Sequence, residues 1–133
     1  MVTVCPECGA EESRDVWDQV VGGRLAWGVS GRCPADPEHS AWESCGWDET
    51  PPDIRGELLE RHGEHRLRVT PRPGWSRMRL LRALRGEDTP LAEVKDLASR
   101  VLAGEITGTE GEMDLLAHRI RPAGLDDAAE RVS

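Results

Sequence analysis

Four cysteines are the residues of this chain best suited to chemistry. Cys5 and Cys8 stand two residues apart in CPECG; Cys33 follows after 24 residues and Cys45 after eleven more. A C-x2-C pair on a Pro/Gly turn has metal-ligand spacing, because a tight turn aims two thiolates at one point. Thiolates at Cys5, Cys8, Cys33 and Cys45 would form the closed tetrahedral shell of a structural zinc ion. The second pair is irregular. The stretch CPADPEHSAWESCG carries His39 inside the interval, and His39 could replace one cysteine, although an imidazole among Pro, Asp and Glu in a loop is more often simply solvated. A catalytic zinc would need three protein ligands, an open position and a carboxylate base, and four cysteines argue against that.

No other catalytic pattern competes. There is no G-x-x-x-x-G-K-[ST] phosphate loop, and GVSG around Ser30 is one residue short of a nucleophile elbow. The 25 acidic residues are scattered over polar stretches that read as hydrated surface. The expectation is a non-enzymatic protein. At 133 residues the chain has room for one ordinary domain or two small ones. No apolar run nears the ~20 residues needed to span a bilayer, and the N-terminus lacks the basic, apolar and small-residue order of a secretory signal. A cytoplasmic protein is expected, and in a reducing compartment cysteines favour metal over disulfides.

The elements around the cysteines are strands. DVWDQVV (15–21) and RLAWGVS (24–30) are rich in β-branched and aromatic residues, and Gly22-Gly23 between them is a two-residue hairpin signal. A cysteine knuckle, a hairpin and a later cysteine look like a zinc ribbon over residues 1–50. Such a segment buries little surface, and a structural zinc can contribute on the order of 10 kcal/mol to its folding. Trp17, Trp27, Trp42 and Trp47 all lie here among Asp18, Glu43, Asp48 and Glu49. They read as the core of a small domain, or as an acidic aromatic face for a basic partner.

A short amphipathic helix is expected over 51–65, with Thr50 as N-cap, Pro51 at the first helical position, Ile54 and Leu58 facing inward, and Gly63 as the stop. Its packing face implies a joined molecule rather than a flexible linker. His62 and His65 are separated by that stop, which weakens them as a metal pair. Residues 66–133 then read as a strand RLRVT (66–70) and three helices. The first, SRMRLLRALR (76–85), turns Leu80, Ala83 and Leu84 to one side and Arg77, Leu81, Arg82 and Arg85, with Met78, to the other. The second starts at a Thr89 cap and Pro90, buries Leu91, Val94, Leu97, Ala98 and Val101, and stops at Gly104. The third opens with a capping box, Thr109 and Glu112, and buries Met113, Leu116, Ala117 and Ile120. The fold class is therefore α+β: a small ribbon, a connecting helix and a compact α/β unit. The tail LDDAAERVS, with two aspartates and two alanines, suits a helical turn or a frayed end better than a closing strand.

Residues 67–124, through SRMRLLRALR, PLAEVKDLA and the Ala123-Gly124 pair, resemble the C-terminal domain of the bacterial large-subunit ribosomal stalk protein. That resemblance implies a docking surface on the first two of these helices for the G domains of translational GTPases, carried here by Arg77, Leu81, Arg82, Arg85 and the chain's one lysine, Lys95. The family's N-terminal dimerisation helices and hinge are missing, with the ribbon in their place.

Charge separates the halves. Residues 1–65 hold 5 basic and 14 acidic residues (-9), and residues 66–133 hold 12 and 11 (+1). Between His65 and Gly86 lie seven arginines and no acid. Three functions follow as expectations. An adaptor would dock a translational GTPase or the ribosome through the arginine-edged helix. An immunity protein or antitoxin would cover a basic toxin site with the acidic, Trp-bearing half. A nucleic-acid-binding ribbon is the third, although a chain at -8 is a poor partner for phosphates. The partner's identity and the oligomeric state are open.

Overall fold

The computed structural model describes residues 3–39, 41–86 and 89–132. The fold is α+β, built on two three-stranded antiparallel sheets. The first is a meander of β1 (Ser13–Val21), β2 (Arg24–Arg32) and β3 (Ala41–Trp47). The β1–β2 hairpin turns at Gly22-Gly23, whose φ values of 59° and 78° need residues without a Cβ. The strand β3 carries AWESCGW.

Three tryptophans in this sheet each lie over the glycine directly opposite: Trp17 over Gly28, Trp42 over Gly31 and Trp27 over Gly46. A Cβ on Gly28 would sit 2.1 Å from the Trp17 ring, one on Gly31 2.5 Å from Trp42 and one on Gly46 2.6 Å from Trp27. The indoles thus bury flat against bare backbone, covering strand residues that have no side chain of their own. Trp27 and Trp42 pack on a small core of Val16, Val29, Ile54 and Leu58, so two of the four tryptophans of the N-terminal half serve as core. Trp47 is half exposed, with the Arg24 guanidinium over its ring at 4.8 Å.

Ile54 and Leu58 come from α1 (Pro52–His62), which ends at Gly63 with φ 83° as expected. Its start is shifted: Pro51 takes the cap position, and the Thr50 hydroxyl is buried without a partner rather than capping the helix. The second sheet runs in the order β5-β4-β6, with β4 (His65–Pro71), β5 (Thr107–Gly108) and β6 (Leu125–Arg131). Against it pack α2 (Arg77–Leu84), α3 (Leu91–Ala103) and α4 (Glu110–Ile120), around a core that includes Leu67, Leu80, Val94, Val101, Ile120 and Leu125. Leu91, expected inside, is half exposed because α3 begins there, one residue after Pro90 at the cap. Ser76 caps α2, and Thr109 and Glu112 form the capping box of α4.

The tail after Gly124 does form a strand, contrary to the composition argument. Leu125 is buried in the core, and β6 pairs with β4 from His65↔Arg131 to Pro71↔Leu125. Its acidic residues meet arginines of the facing strand and of the loop after it: Glu130 pairs with Arg68 and Arg66 of β4, and Asp126 with Arg72 at 3.6 Å. Opposite charges across a ladder offset the low strand propensity of Asp and Ala.

The two sheets are joined through α4 and α1. From β1, Asp18 accepts the Gly111 N–H through Oδ1 at 3.2 Å and the Thr109 hydroxyl through Oδ2, so a residue of the first sheet caps a helix of the other half. Arg55 of α1 holds Glu112 bidentately at 2.8 and 2.9 Å, and Glu112 also accepts the Thr109 N–H at 2.9 Å. Burial by itself would raise the Glu112 carboxyl, but the Arg55 guanidinium and the Thr109 N–H outweigh it and hold it below its ordinary value. Arg14 of β1 and Glu57 of α1 pair at 2.9 Å with both side chains nearly buried. No helix among the described residues is long and apolar enough to cross a membrane.

Candidate metal centre

Two turns bring the site together. In the first, Cys5 N–H bonds to Ala10 O and Gly9 N–H to Cys5 O, both at 2.8 Å, below a bridge between Val4 and Glu11. Gly9 at φ 76° closes this turn. The second begins where β2 ends. Cys33 is followed by Pro34, and Asp36 makes a tight turn, taking the Glu38 N–H on its side chain at 2.9 Å and the His39 N–H on its carbonyl at 3.1 Å. That turn folds His39 back onto Cys33.

The ligand atoms of Cys5, Cys8, Cys33 and His39 all lie within 4.8 Å of one another and could hold a metal ion. Cys8 Sγ is 3.5 Å from Cys33 Sγ, and Cys33 Sγ is 3.6 Å from His39 Nδ1. Cys5 and Cys33 are buried, His39 is half-buried and Cys8 is exposed. The second ring nitrogen of His39 faces carboxylates, Asp36 at 3.5 Å and Glu7 at 3.7 Å. A ligating histidine needs such an arrangement, because an acceptor on Nε2–H fixes the tautomer that leaves Nδ1 free to bind.

The electrostatics favour a thiolate at Cys33 and oppose one at Cys8. Burial pushes Cys33 up, but N–H groups of Asp36 and Ala35, the His39 ring and the Cys8 thiol bring it down to about 7. For Cys8 the Ala10 backbone acts to lower the value, while Cys33, burial and Cys5 raise it by more. His39 is raised by its contact with Cys33 and, against burial, by Asp36 and Glu7.

Of the four cysteines expected as ligands, three come together and Cys45 does not. Cys45 lies in β3 opposite Gly28, five strand residues back from Cys33, or about 16 Å along the ribbon, and its side chain is exposed. His39 takes the fourth position. Two signals in the sequence could have pointed there: Pro34, Asp36 and Pro37 crowd a turn just after Cys33, and the Trp42-to-Trp47 stretch is dense enough in aromatic residues for a strand that carries Cys45 away.

The residues of the expected partner face sit on the other half. Arg77 and Arg82 are exposed on α2, Arg85 directly follows it, and Lys95 is exposed on α3. Leu81 is half-buried against the main core, leaving Met78, 60% exposed, as the apolar residue that projects from α2. Compared with known proteins, the chain matches no family model, and no curated protein or solved structure matches it.

Proposed function

We propose that the protein is a non-enzymatic protein-binding adaptor whose ribbon is held by a structural Zn2+ ion. A tetrahedral zinc with bonds of about 2.3 Å to sulfur and about 2.0 Å to nitrogen has S···S edges of about 3.8 Å and S···N edges of about 3.5 Å. The 3.5 Å and 3.6 Å separations at Cys33 are close to both. Three thiolates and an imidazole complete the shell, leaving no position for substrate, so the ion supplies folding energy rather than reaction chemistry.

The observation that carries the adaptor reading is the set of arginines on α2. Among the described residues, Arg77, Arg79, Arg82 and Arg85 take part in no ion pair, whereas Arg66 and Arg68 of β4 share Glu130 of β6 and Arg72 of the following loop lies against Asp126. Four uncompensated guanidinium groups around an exposed Met78 make a cationic rim about an apolar centre, the layout of an interface hot spot for an acidic protein surface. The resemblance of residues 67–124 to the ribosomal stalk C-terminal domain points to a translational GTPase or a ribosome-associated factor as that partner. The test is direct binding of purified translational GTPases and ribosomes to the zinc-loaded protein and to its Arg82→Glu variant. Binding that weakens about tenfold or more in the variant, with an unchanged thermal melt, is expected; binding indifferent to Arg82→Glu, or none at all, overturns the reading.

A further inference from the structure

The two edges of the ribbon sheet are treated differently. Two outer carbonyls of β1 are covered by α1: Arg61 donates to Arg14 O, and His62 Nε2 lies 3.0 Å from Val16 O. The outer edge of β3 has no such cover. The bond from Asp48 N–H to Leu25 O, 2.7 Å, sets the phase of the β2–β3 ladder, so Trp42, Ser44 and Gly46 exchange bonds with β2 while Ala41, Glu43 and Cys45 point their N–H and C=O groups away. Among the described residues nothing bonds to those outward groups. The strand also lacks the proline, lysine or bulge that blunts a free edge.

We infer that the β3 edge is a strand-addition site for an extended segment of a partner protein carrying Lys or Arg at alternate positions. Charge complementarity selects this occupant. From Pro34 to Ile54 the chain has six acids, Asp36, Glu38, Glu43, Asp48, Glu49 and Asp53, and no Lys or Arg. A second copy would bring the same acids against themselves. On the outer face of the sheet, alternate residues of an added strand would lie beside Glu43, Cys45 and Trp47. A cation there meets the Glu43 carboxylate, while the half-exposed Trp47 ring already carries Arg24, stacked at 4.8 Å and paired with Asp48. On the inner face the intervening residues meet half-buried Trp42, so apolar side chains fit there. Main-chain bonds would supply affinity, and the two faces would supply selectivity. The site is separate from α2 and does not rest on the adaptor face.

The experiment uses the zinc-loaded full chain, with a fluorescein-labelled peptide of alternating lysine and valine as probe and an alternating glutamate and valine peptide as control. The lysine peptide alone is expected to bind, to slow amide exchange at Glu43 and Cys45 about tenfold or more, and to lose about tenfold in affinity with Cys45→Pro but not Cys45→Ser. Proline at that position removes an outward N–H without touching the bonds to β2. Should Cys45→Pro fail to fold, Glu43→Lys decides, with the same expected loss. Binding that survives the deciding variant, equal binding of the glutamate peptide, protection mapped to another surface, or β3–β3 pairing in a dimer overturns the proposal.

Discussion

His39 and Cys45 are close in sequence and opposite in consequence. The imidazole sits 3.6 Å from Cys33 with carboxylates behind it, while the Cys45 thiol is on an exposed strand face about 16 Å away. Cys45→Ser should therefore keep one equivalent of zinc, and His39→Ala should lose most zinc affinity, as read by native mass spectrometry and competition with a chromogenic chelator. Equal losses in both variants would put Cys45 in the shell. Glu7 and Asp36 act through the ring rather than on the metal, so their removal should weaken affinity without abolishing it, by about tenfold to 100-fold for outer-shell partners.

At the scale of elements, the ribbon sheet depends on three tryptophan-on-glycine contacts. A methyl group at Gly28 would meet the Trp17 ring at 2.1 Å, so the indole must leave its seat. Gly28→Ala should cost about 2 kcal/mol, as overpacking does, despite the better strand propensity of alanine. Urea unfolding with zinc held in excess measures this, and an unchanged midpoint would mean that Trp17 is not seated on Gly28. The same logic explains β6, whose acids each meet an arginine of a neighbouring segment: Glu130 meets Arg68 of β4, Asp126 meets Arg72 just after β4, and Asp127 meets Arg121. Propensity was overruled there by the partner strand.

Across the whole molecule, the junction of Asp18, Thr109, Gly111, Glu112 and Arg55 ties the first sheet to the helical half. The Glu112 carboxyl is held below its ordinary value of 4.5 in the folded protein. A group depressed on folding contributes stability that is complete above its unfolded value and is lost as pH falls through the folded one. The contribution of this pair should thus be full at neutral pH and decline below about pH 4.5, and Glu112→Gln should flatten that part of the stability profile. Thermal melts between pH 3 and 7, followed by tryptophan fluorescence on the wild type and the variant, check this. An identical acid slope in the variant would remove Glu112 from the account.

Local order along the chain was enough to determine much of this. The Gly22-Gly23 hairpin, the Gly63 and Gly104 stops, the Thr109/Glu112 capping box, and Cys5, Cys8 and Cys33 as metal-ligating candidates are all set by turn chemistry, caps and periodicity, which act over a few residues. Which residue fills the fourth ligand position, whether LDDAAER is a strand, and how Asp18 comes to cap α4, 93 residues away at Gly111, depend on contacts between distant segments. A ligand set is fixed by where a turn returns the chain, and an edge strand by the charges across from it. Only the tertiary structure brings those neighbours together.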